Sequence, residues 1–334
     1  MEVYSHLNPS HQKALAALTN ESPFQFSAGF TLFYKNFMKE DLKIIYLPEM
    51  NAFIPIRFIS SKFFSLAQIL HAPICNNVEL SPSDQLLFFE KLIYYFKKRN
   101  LAERLIQPHP YGILGAVPKK ARSCEFGTYV INMHQHSIDE IFNNFHPKYQ
   151  KAILHSEKNG AVVKFGLNVL PDFYTCYTAT MQRAGLNLER FEFFQTLYRY
   201  LGDMHVTAGV VYDKNQPVGG IFMLHSRFAA LCTHAGSNGE TKLYGAMKFL
   251  HFEMIKRLKA QQIKKYDLVG VRIGNNDPAL EGIFRFKKGF GGELKSGYLW
   301  KIDLNPIRAK MYDMLVNLKH SQDKYKDIID QVNS

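Results

Sequence analysis

The sequence has 334 residues, 46% of them apolar and 21% charged, which suits about two average domains with large cores. It contains no run of roughly 18 to 20 uncharged apolar residues and no basic-then-apolar leader, which argues against a membrane-spanning helix and a signal peptide. Basic residues exceed acidic ones by 41 to 29, giving a net charge of +12.

The first half of the chain combines predicted strands with one long helix. Leu42–Pro48 and Ala52–Ile59 have the composition of strands on either side of a turn at 49–51. Ser83–Arg99 predicts an amphipathic helix that begins at a Ser/Asp cap. Gly127–Met133 predicts a further strand, and no long linker separates it from the second half of the chain.

The second half has a regular succession of predicted elements. Four helices and one strand come first, over Ile138–Phe145, Lys148–Asn159, the strand Ala161–Phe165, Pro171–Ala184 and Glu189–Leu201. A meander of three strands comes next, over Val206–Tyr212, Val218–His225 and Phe228–Ala235. A long helix over 242–259, a strand at Tyr266–Val271, a short helix and a last strand complete the chain.

Three antiparallel strands, a long helix, a strand, a short helix and a last strand are typical of the GNAT acyltransferase fold. The sequence therefore predicts an α/β (α+β) protein of two tandem GNAT-like domains, each a mixed, mostly antiparallel sheet flanked by helices. We expect the N-terminal domain, residues 1–135, to be degenerate and the C-terminal domain, residues 136–334, to carry the site. Because a fold does not determine function, the site has to be argued from its residues.

A glycine-rich segment has the most specific pattern in the chain. Asp267-Leu-Val-Gly270 is followed by Asp277–Glu293, which reads DPALEGIFRFKKGFGGE. This run resembles the C-terminal signature of the Fem-type (FemABX) peptidoglycan bridge aminoacyltransferases, where a short helix bears Gly-x-x-x-Phe-Lys-x-x-Phe-Gly-Gly. The helix 148–160 is similar to the family's basic helix, with Gln150 and Lys151 where arginines are usual.

The resemblance implies a cytoplasmic enzyme that moves an amino acid from the ester of an aminoacyl-tRNA to an amine of a lipid- or nucleotide-linked muropeptide. In that chemistry, Lys287 would stabilise the negative charge on the carbonyl oxygen and Phe286 would be its packing partner. Without the resemblance, a solvated surface lysine would be the favoured interpretation of Lys287. Removing one oxyanion donor costs roughly 3 to 4 kcal/mol. The reaction needs no cofactor, metal or nucleophilic Ser or Cys.

Other roles in the reaction stay open. A carboxylate such as Asp277 or Glu281, a water or the leaving ribose could take the proton of the amine. Since the family binds a diphosphate-linked sugar peptide, four basic residues are candidate substrate contacts, although each could also be a surface residue. They are Lys35, Arg183, Arg272 and Lys151.

The acyl donor is a separate question. An ordinary GNAT binds the pyrophosphate of coenzyme A on a loop of the form Arg/Gln-x-x-Gly-x-Gly/Ala at the start of the long helix. Here the loop spans Lys242–Met247, and Met247 replaces the last small residue, which disfavours a coenzyme A thioester.

Two alternatives remain. One is an acyl-CoA-dependent GNAT N-acyltransferase in polysaccharide or lipid modification, and the other a non-catalytic nucleotide-sugar or RNA-binding protein. Residues 242–310 supply +9 of the net charge, with fifteen Lys or Arg against six Asp or Glu. This segment could attract a polyanion or the inner membrane face, or be a solvated basic surface.

Overall fold

One continuous sheet runs through both halves of the chain. The computed structural model describes residues 1–239, 243–274, 278–319 and 327–332. The strands are β1 Glu2–Tyr4, β2 Asp41–Leu47, β3 Ala52–Ser60, β4 Ser65–Ile69, β5 Ile74–Cys75, β6 Val78–Glu79, β7 Arg104–Ile106, β8 Arg122–Asn132, β9 Val162–Phe165, β10 Val206–Asp213, β11 Gln216–His225, β12 Ala230–Ser237, β13 Lys265–Asp267, β14 Val271–Arg272 and β15 Glu293–Asp303. The helices are α1 Gln12–Leu15, α2 Ala28–Phe33, α3 Pro82–Arg99, α4 Ile138–Asn143, α5 Pro147–Lys158, α6 Leu170–Ala184, α7 Phe191–Leu201, α8 Ala246–Ala260, α9 Pro278–Lys288, α10 Pro306–Lys319 and α11 Ile328–Val332.

The strand order divides the sheet into two lobes. Along the sheet the order is β1-β2-β3-β4-β7-β15-β8-β13-β12-β11-β10-β9, with β5, β6 and β14 beside this path. Strand β15 joins the two parts: residues 293–301 pair with β8, whereas Ile302 and Asp303 pair with β7. We call β1–β7 with α1–α3 the first lobe and β8–β15 with α4–α9 the second lobe.

Both lobes repeat one supersecondary pattern. In the first lobe, the antiparallel strands β2, β3 and β4 lead through α3 to β7, which pairs parallel with β4. In the second lobe, β10, β11 and β12 lead through α8 to β13, which pairs parallel with β12. This repeat confirms the fold of two tandem GNAT-like units, each with a mostly antiparallel sheet, that the sequence predicts.

The two lobes share a hydrophobic core. Phe30 and Phe33 of α2 pack with Phe194 of α7 and Phe222 of β11 in one buried cluster. Further clusters lie under α8 in the second lobe and under α3 in the first, where Trp300 of β15 is buried. Burial of apolar surface from both lobes in one cluster stabilises their packing against each other.

Most predicted elements lie within a few residues of their expected places. The helix predicted at Ser83 begins at Pro82, because Ser81 Oγ accepts a hydrogen bond from Asp84 N at 3.2 Å and caps it. Strand β8 is longer than predicted and pairs with β13, β14 and β15. The domain boundary at residue 135 stays a prediction. Within the described ranges, no helix has both the length and the apolar character needed to cross a bilayer.

Candidate active site

The prediction of one strand over Tyr266–Val271 is wrong, because the structure has two short strands with a turn between them. The candidate site lies at this turn. Strand β13 ends at Asp267, and Val269 and Gly270 have φ angles of 51° and 56°, in the left-handed region. A β-branched residue rarely adopts that conformation, at a cost on the order of 1–3 kcal/mol. The Asp267 carboxylate stabilises the turn by accepting hydrogen bonds from Val269 N at 2.7 Å and from the hydroxyl of Thr128.

Lys287 reaches this turn from helix α9. Its ammonium donates hydrogen bonds to the carbonyl oxygens of Val269 and, at 2.6 Å, Gly270. Burial lowers the pKa of Lys287, while the negative charge of Asp267 opposes that shift. An ammonium has three N–H groups, and these two carbonyls accept two of them. A fixed cation beside the break between β13 and β14 can therefore offer its third N–H to an oxygen that becomes negative.

Phe286 anchors the helix that carries Lys287. Its ring centroid lies 5.3 Å from that of Phe290, 5.7 Å from that of His251 and 6.2 Å from that of Tyr149. Tyr149 Oη donates to the carbonyl of Phe286 at 3.1 Å. Phe286 thus packs α9 against α5 and α8, and its role as the packing partner of Lys287 stays a prediction.

The glycines after Lys287 allow helix α9 to approach its neighbours closely. A Cβ on Gly289 would lie 2.4 Å from the ring of Tyr149. At Gly291, with φ 65°, a Cβ would lie 2.1 Å from the carbonyl oxygen of Asn144. Side chains at these positions would push α9 away, so the glycine-rich motif serves to set the position of Lys287.

A cavity of about 340 Å³ lies between the lobes beside Asp267. We call it the charged cavity, and its ionisable wall consists of His71, Glu79, Lys265, Asp267, Glu293 and Lys295. Within it, Lys295 Nζ lies 2.6 Å from Glu79 Oε2, and His71 Nε2 lies 3.7 Å from Glu79 Oε1.

A second cavity, of about 310 Å³, lies between α2, α7 and the middle of β12, and we call it the aromatic cavity. Its wall includes Tyr34, Arg57, His109, His234 and Val269, and Tyr111 lines both cavities. Burial and the Arg57 charge lower the pKa of His109 to about 3, so this histidine is neutral at pH 7. Val269 forms part of the wall, and Lys287 donates a hydrogen bond to its carbonyl oxygen. Lys287 therefore contacts a residue of the cavity wall.

The four predicted substrate contacts are not brought together. Lys35 Nζ lies 3.1 Å from Asp41 Oδ1, and Lys151 is exposed on α5. Arg183 Nη2 donates to Ser237 O at 2.8 Å, and Arg272 Nη2 to Gln331 Oε1 at 2.6 Å. Among the described residues that line the two cavities, none of the four occurs. Their role in substrate binding stays a prediction.

The structure describes only one of the two carboxylates that the sequence suggested as bases. Asp277 lies outside the described residues, as does Lys242 in the predicted phosphate loop. Glu281 is exposed, and its carboxylate lies 3.6 Å from Arg285 Nε. The sequence interpretation missed the side chains of Asp267 and Thr128. The usable signal was an aspartate at the end of a strand, directly before a Leu-Val-Gly turn.

Known proteins are similar to part of this sequence and to its fold. Residues 204–315 match the FemAB family. The fold is similar to that of a crystal structure of FemX, with a TM-score of 0.68 and 13% identity over 93% of this chain and 99% of FemX. It is also similar to a conserved protein of unknown function from Bacteroides thetaiotaomicron VPI-5482, with a TM-score of 0.50 and 11% identity over 88% of this chain and 97% of that one. No curated protein matches the sequence significantly.

The family match covers the meander, helix α8, the left-handed turn and helix α9 with Lys287. The similarity to FemX extends the same fold over both lobes. The resemblance inferred from the Phe-Lys segment is therefore supported by a match of residues 204–315 to the FemAB family, and the fold of the whole chain is similar to that of FemX.

Proposed function

We propose that the protein transfers an aminoacyl group from an aminoacyl-tRNA to an amine of a peptidoglycan precursor. The observation that carries the proposal is the Lys287 ammonium, which donates to the carbonyls of Gly270 and of Val269, a residue in the wall of the aromatic cavity. When the amine attacks the ester, the C–N bond forms and the carbonyl oxygen becomes negative. A fixed cation at that point lowers the barrier before the C–O bond to the ribose breaks.

The start of helix α8 favours a donor other than coenzyme A. Gly245 has φ 93°, and a Cβ there would lie 2.3 Å from the carbonyl oxygen of Ala152 in α5. Ser156 Oγ, also on α5, donates to Tyr244 O at 2.9 Å. Helix α5 therefore packs directly against the start of α8, the element that carries the pyrophosphate loop in an ordinary GNAT. This packing supports a carrier that binds elsewhere on the protein.

The surface of helix α9 supports a polyanionic donor. Lys288, next to Lys287, is exposed, and the Arg285 side chain is 70% exposed despite its contact with Glu281. Cations at the end of a helix beside the site would contact phosphates of a tRNA acceptor end. A solvated basic face would also contain such residues, so binding has to be measured.

The function is tested by incubating the protein with mixed charged tRNAs and a lipid- or nucleotide-linked muropeptide, followed by mass analysis of the products. We expect an acceptor heavier by one aminoacyl group. Lys287→Ala should lower turnover by about 10²–10³-fold, as expected for loss of an oxyanion donor. Lys288→Ala, a neighbouring exposed lysine, is the matched control and should retain turnover.

Three outcomes would contradict the proposal. Transfer from acetyl-CoA without any transfer from charged tRNA would favour the acyl-CoA alternative. Saturable binding of the muropeptide or RNA without any product would favour a binding protein. Normal turnover of Lys287→Ala would remove Lys287 from the mechanism. A cytoplasmic location and contact with the inner membrane face remain part of the proposal.

A further inference from the structure

The charged cavity contains a carboxylate whose hydrogen bonds come only from neutral donors among the described residues. Asp267 accepts from the hydroxyl of Thr128 and from the backbone N–H of Val269. Glu79, on the opposite wall, is instead neutralised by Lys295 at 2.6 Å. Asp267 is thus the better placed of the two to receive a cation or a proton from a molecule in the cavity.

Asp267 also lies next to the proposed catalytic lysine. Its carboxylate accepts a hydrogen bond from the N–H of Val269, and Lys287 donates one to the carbonyl oxygen of the same residue. A substrate whose amine contacts Asp267 would therefore have its reacting nitrogen a short distance from an ester oxygen at Lys287. The cavity, at about 340 Å³, has room for an alkylamine chain end.

We propose that Asp267 binds the acceptor's primary amine in the charged cavity and takes the proton that the nitrogen loses during transfer. This inference rests on the proposed function, since it assigns a role in the same reaction. The acceptor is then an amine on an extended chain that enters between the lobes. Neither of the two carboxylates considered from the sequence, at positions 277 and 281, is needed for this step.

The transfer conserves atoms and charge. The neutral nitrogen attacks the ester carbonyl carbon, and the new C–N bond leaves the nitrogen positive and the oxygen negative. Asp267 removes a proton from that nitrogen while Lys287 stabilises the oxygen. The C–O bond to the ribose then breaks, the amide forms, and the proton passes to the ribose oxygen. No oxidant, reductant or further reactant is required.

The electrostatic surroundings suit a base. Burial raises the pKa of Asp267, and the hydrogen bonds from Thr128 and Val269 together with the charges of Lys295 and Lys287 oppose that rise. A base is more effective when its pKa lies nearer to the working pH. The other ionisable groups that line the cavity are Lys265 on β13, Glu293 and Lys295 on β15, Glu79 on β6, His71 after β4 and Tyr111.

Asp267→Asn tests the base directly. The amide oxygen of Asn can accept both hydrogen bonds, so the variant should keep the turn and lose the negative charge and the proton acceptor. We expect kcat to fall by about 10²–10⁴-fold. The affinity for charged tRNA should stay at the wild-type value. In the wild type, transfer should decline as pH falls through the pKa of Asp267, and this acid limb should be absent from the variant.

Thr128→Val provides a second, independent test that keeps the carboxylate. Because the hydrogen bond from Thr128 lowers the pKa of Asp267, its loss should move the acid limb of the pH profile to higher pH. A residue that served only to hold the turn would leave the position of that limb unchanged. This variant decides the question if Asp267→Asn does not fold.

The outcomes separate the two proposals. If the wild type gives no transfer product, the proposed function fails and the role of Asp267 in that reaction fails with it. If the wild type transfers, but folded Asp267→Asn stays within about threefold of it in kcat with the same pH profile, only the role of Asp267 is overturned. An unmoved acid limb in Thr128→Val would also overturn it.

Discussion

Asp267 and Lys287 form hydrogen bonds with the N–H and the carbonyl oxygen, respectively, of one residue, Val269. The carboxylate of Asp267 accepts the N–H of Val269 at 2.7 Å, and the ammonium of Lys287 donates to the Val269 carbonyl oxygen. Burial favours the neutral form of each side chain, and the attraction between the two charges favours the charged form of both. The left-handed turn, the base and the cation therefore form one unit, and changes to one member should affect the others.

Replacement of Lys287 by arginine should alter the pH dependence of transfer. Burial lowers the pKa of Lys287, so the wild type should lose its cation, and with it activity, as pH rises through a value below 10.5. An arginine stays charged above pH 12, so in Lys287→Arg this basic limb should move to higher pH. The measurement is kcat against pH with charged tRNA at saturation, and an unchanged basic limb would contradict the assignment.

Gly291→Ala should destabilise the protein through a clash with α4. Gly291 has φ 65°, and an added Cβ would lie 2.1 Å from Asn144 O. We expect a loss of more than about 3 kcal/mol of unfolding free energy, since both the conformation and the packing are disturbed. Gly274→Ala is the matched control, because φ is 71° there and no described atom lies within 4 Å of the new Cβ. It should cost only about 1–2 kcal/mol in urea unfolding.

Loss of Arg104 should be costly because its guanidinium is buried. It donates to Asp303 at 2.5 Å and to both carboxylate oxygens of Asp313 in α10, at 2.7 and 2.8 Å. Arg104→Ala removes these charge-assisted hydrogen bonds while the carboxylates stay partly solvated, and we expect a loss of about 1.5–3 kcal/mol. Arg122→Ala, which removes an exposed pair with Asp330, should cost less than about 1 kcal/mol. Equal losses in chemical denaturation would contradict this account.

Stability should decline in acid because of buried neutral histidines. Burial lowers the pKa of His234 to about 4, so between about pH 6.5 and 4 the unfolded chain binds a proton that the folded chain does not. Each such group lowers the unfolding free energy by up to about 1.4 kcal/mol per pH unit in that window. His234→Phe, in a cluster with Phe194 and Phe222, should reduce the slope. The exposed His134→Gln serves as the control.

The regular elements were predictable because their hydrophobic periods and caps are local properties of the sequence. The break after Asp267 was not, because Val269 is a strand former whose left-handed conformation depends on hydrogen bonds from Asp267 and Lys287. Lys287 could be selected only through the Phe-Lys resemblance. The two cavities were also beyond prediction, since the sequence does not show which side chains of the first lobe face the second.

Strand β15 has a consequence for the order of folding. Its residues 293–301 complete the pairing of β8, and Ile302 and Asp303 pair with β7 some two hundred residues earlier in the chain. During synthesis, neither lobe can complete its part of the sheet before this one segment has been made, and such distant pairing slows folding. Once in place, the same strand is a rigid bridge through the centre of the sheet, so we expect the lobes to move as one body during turnover.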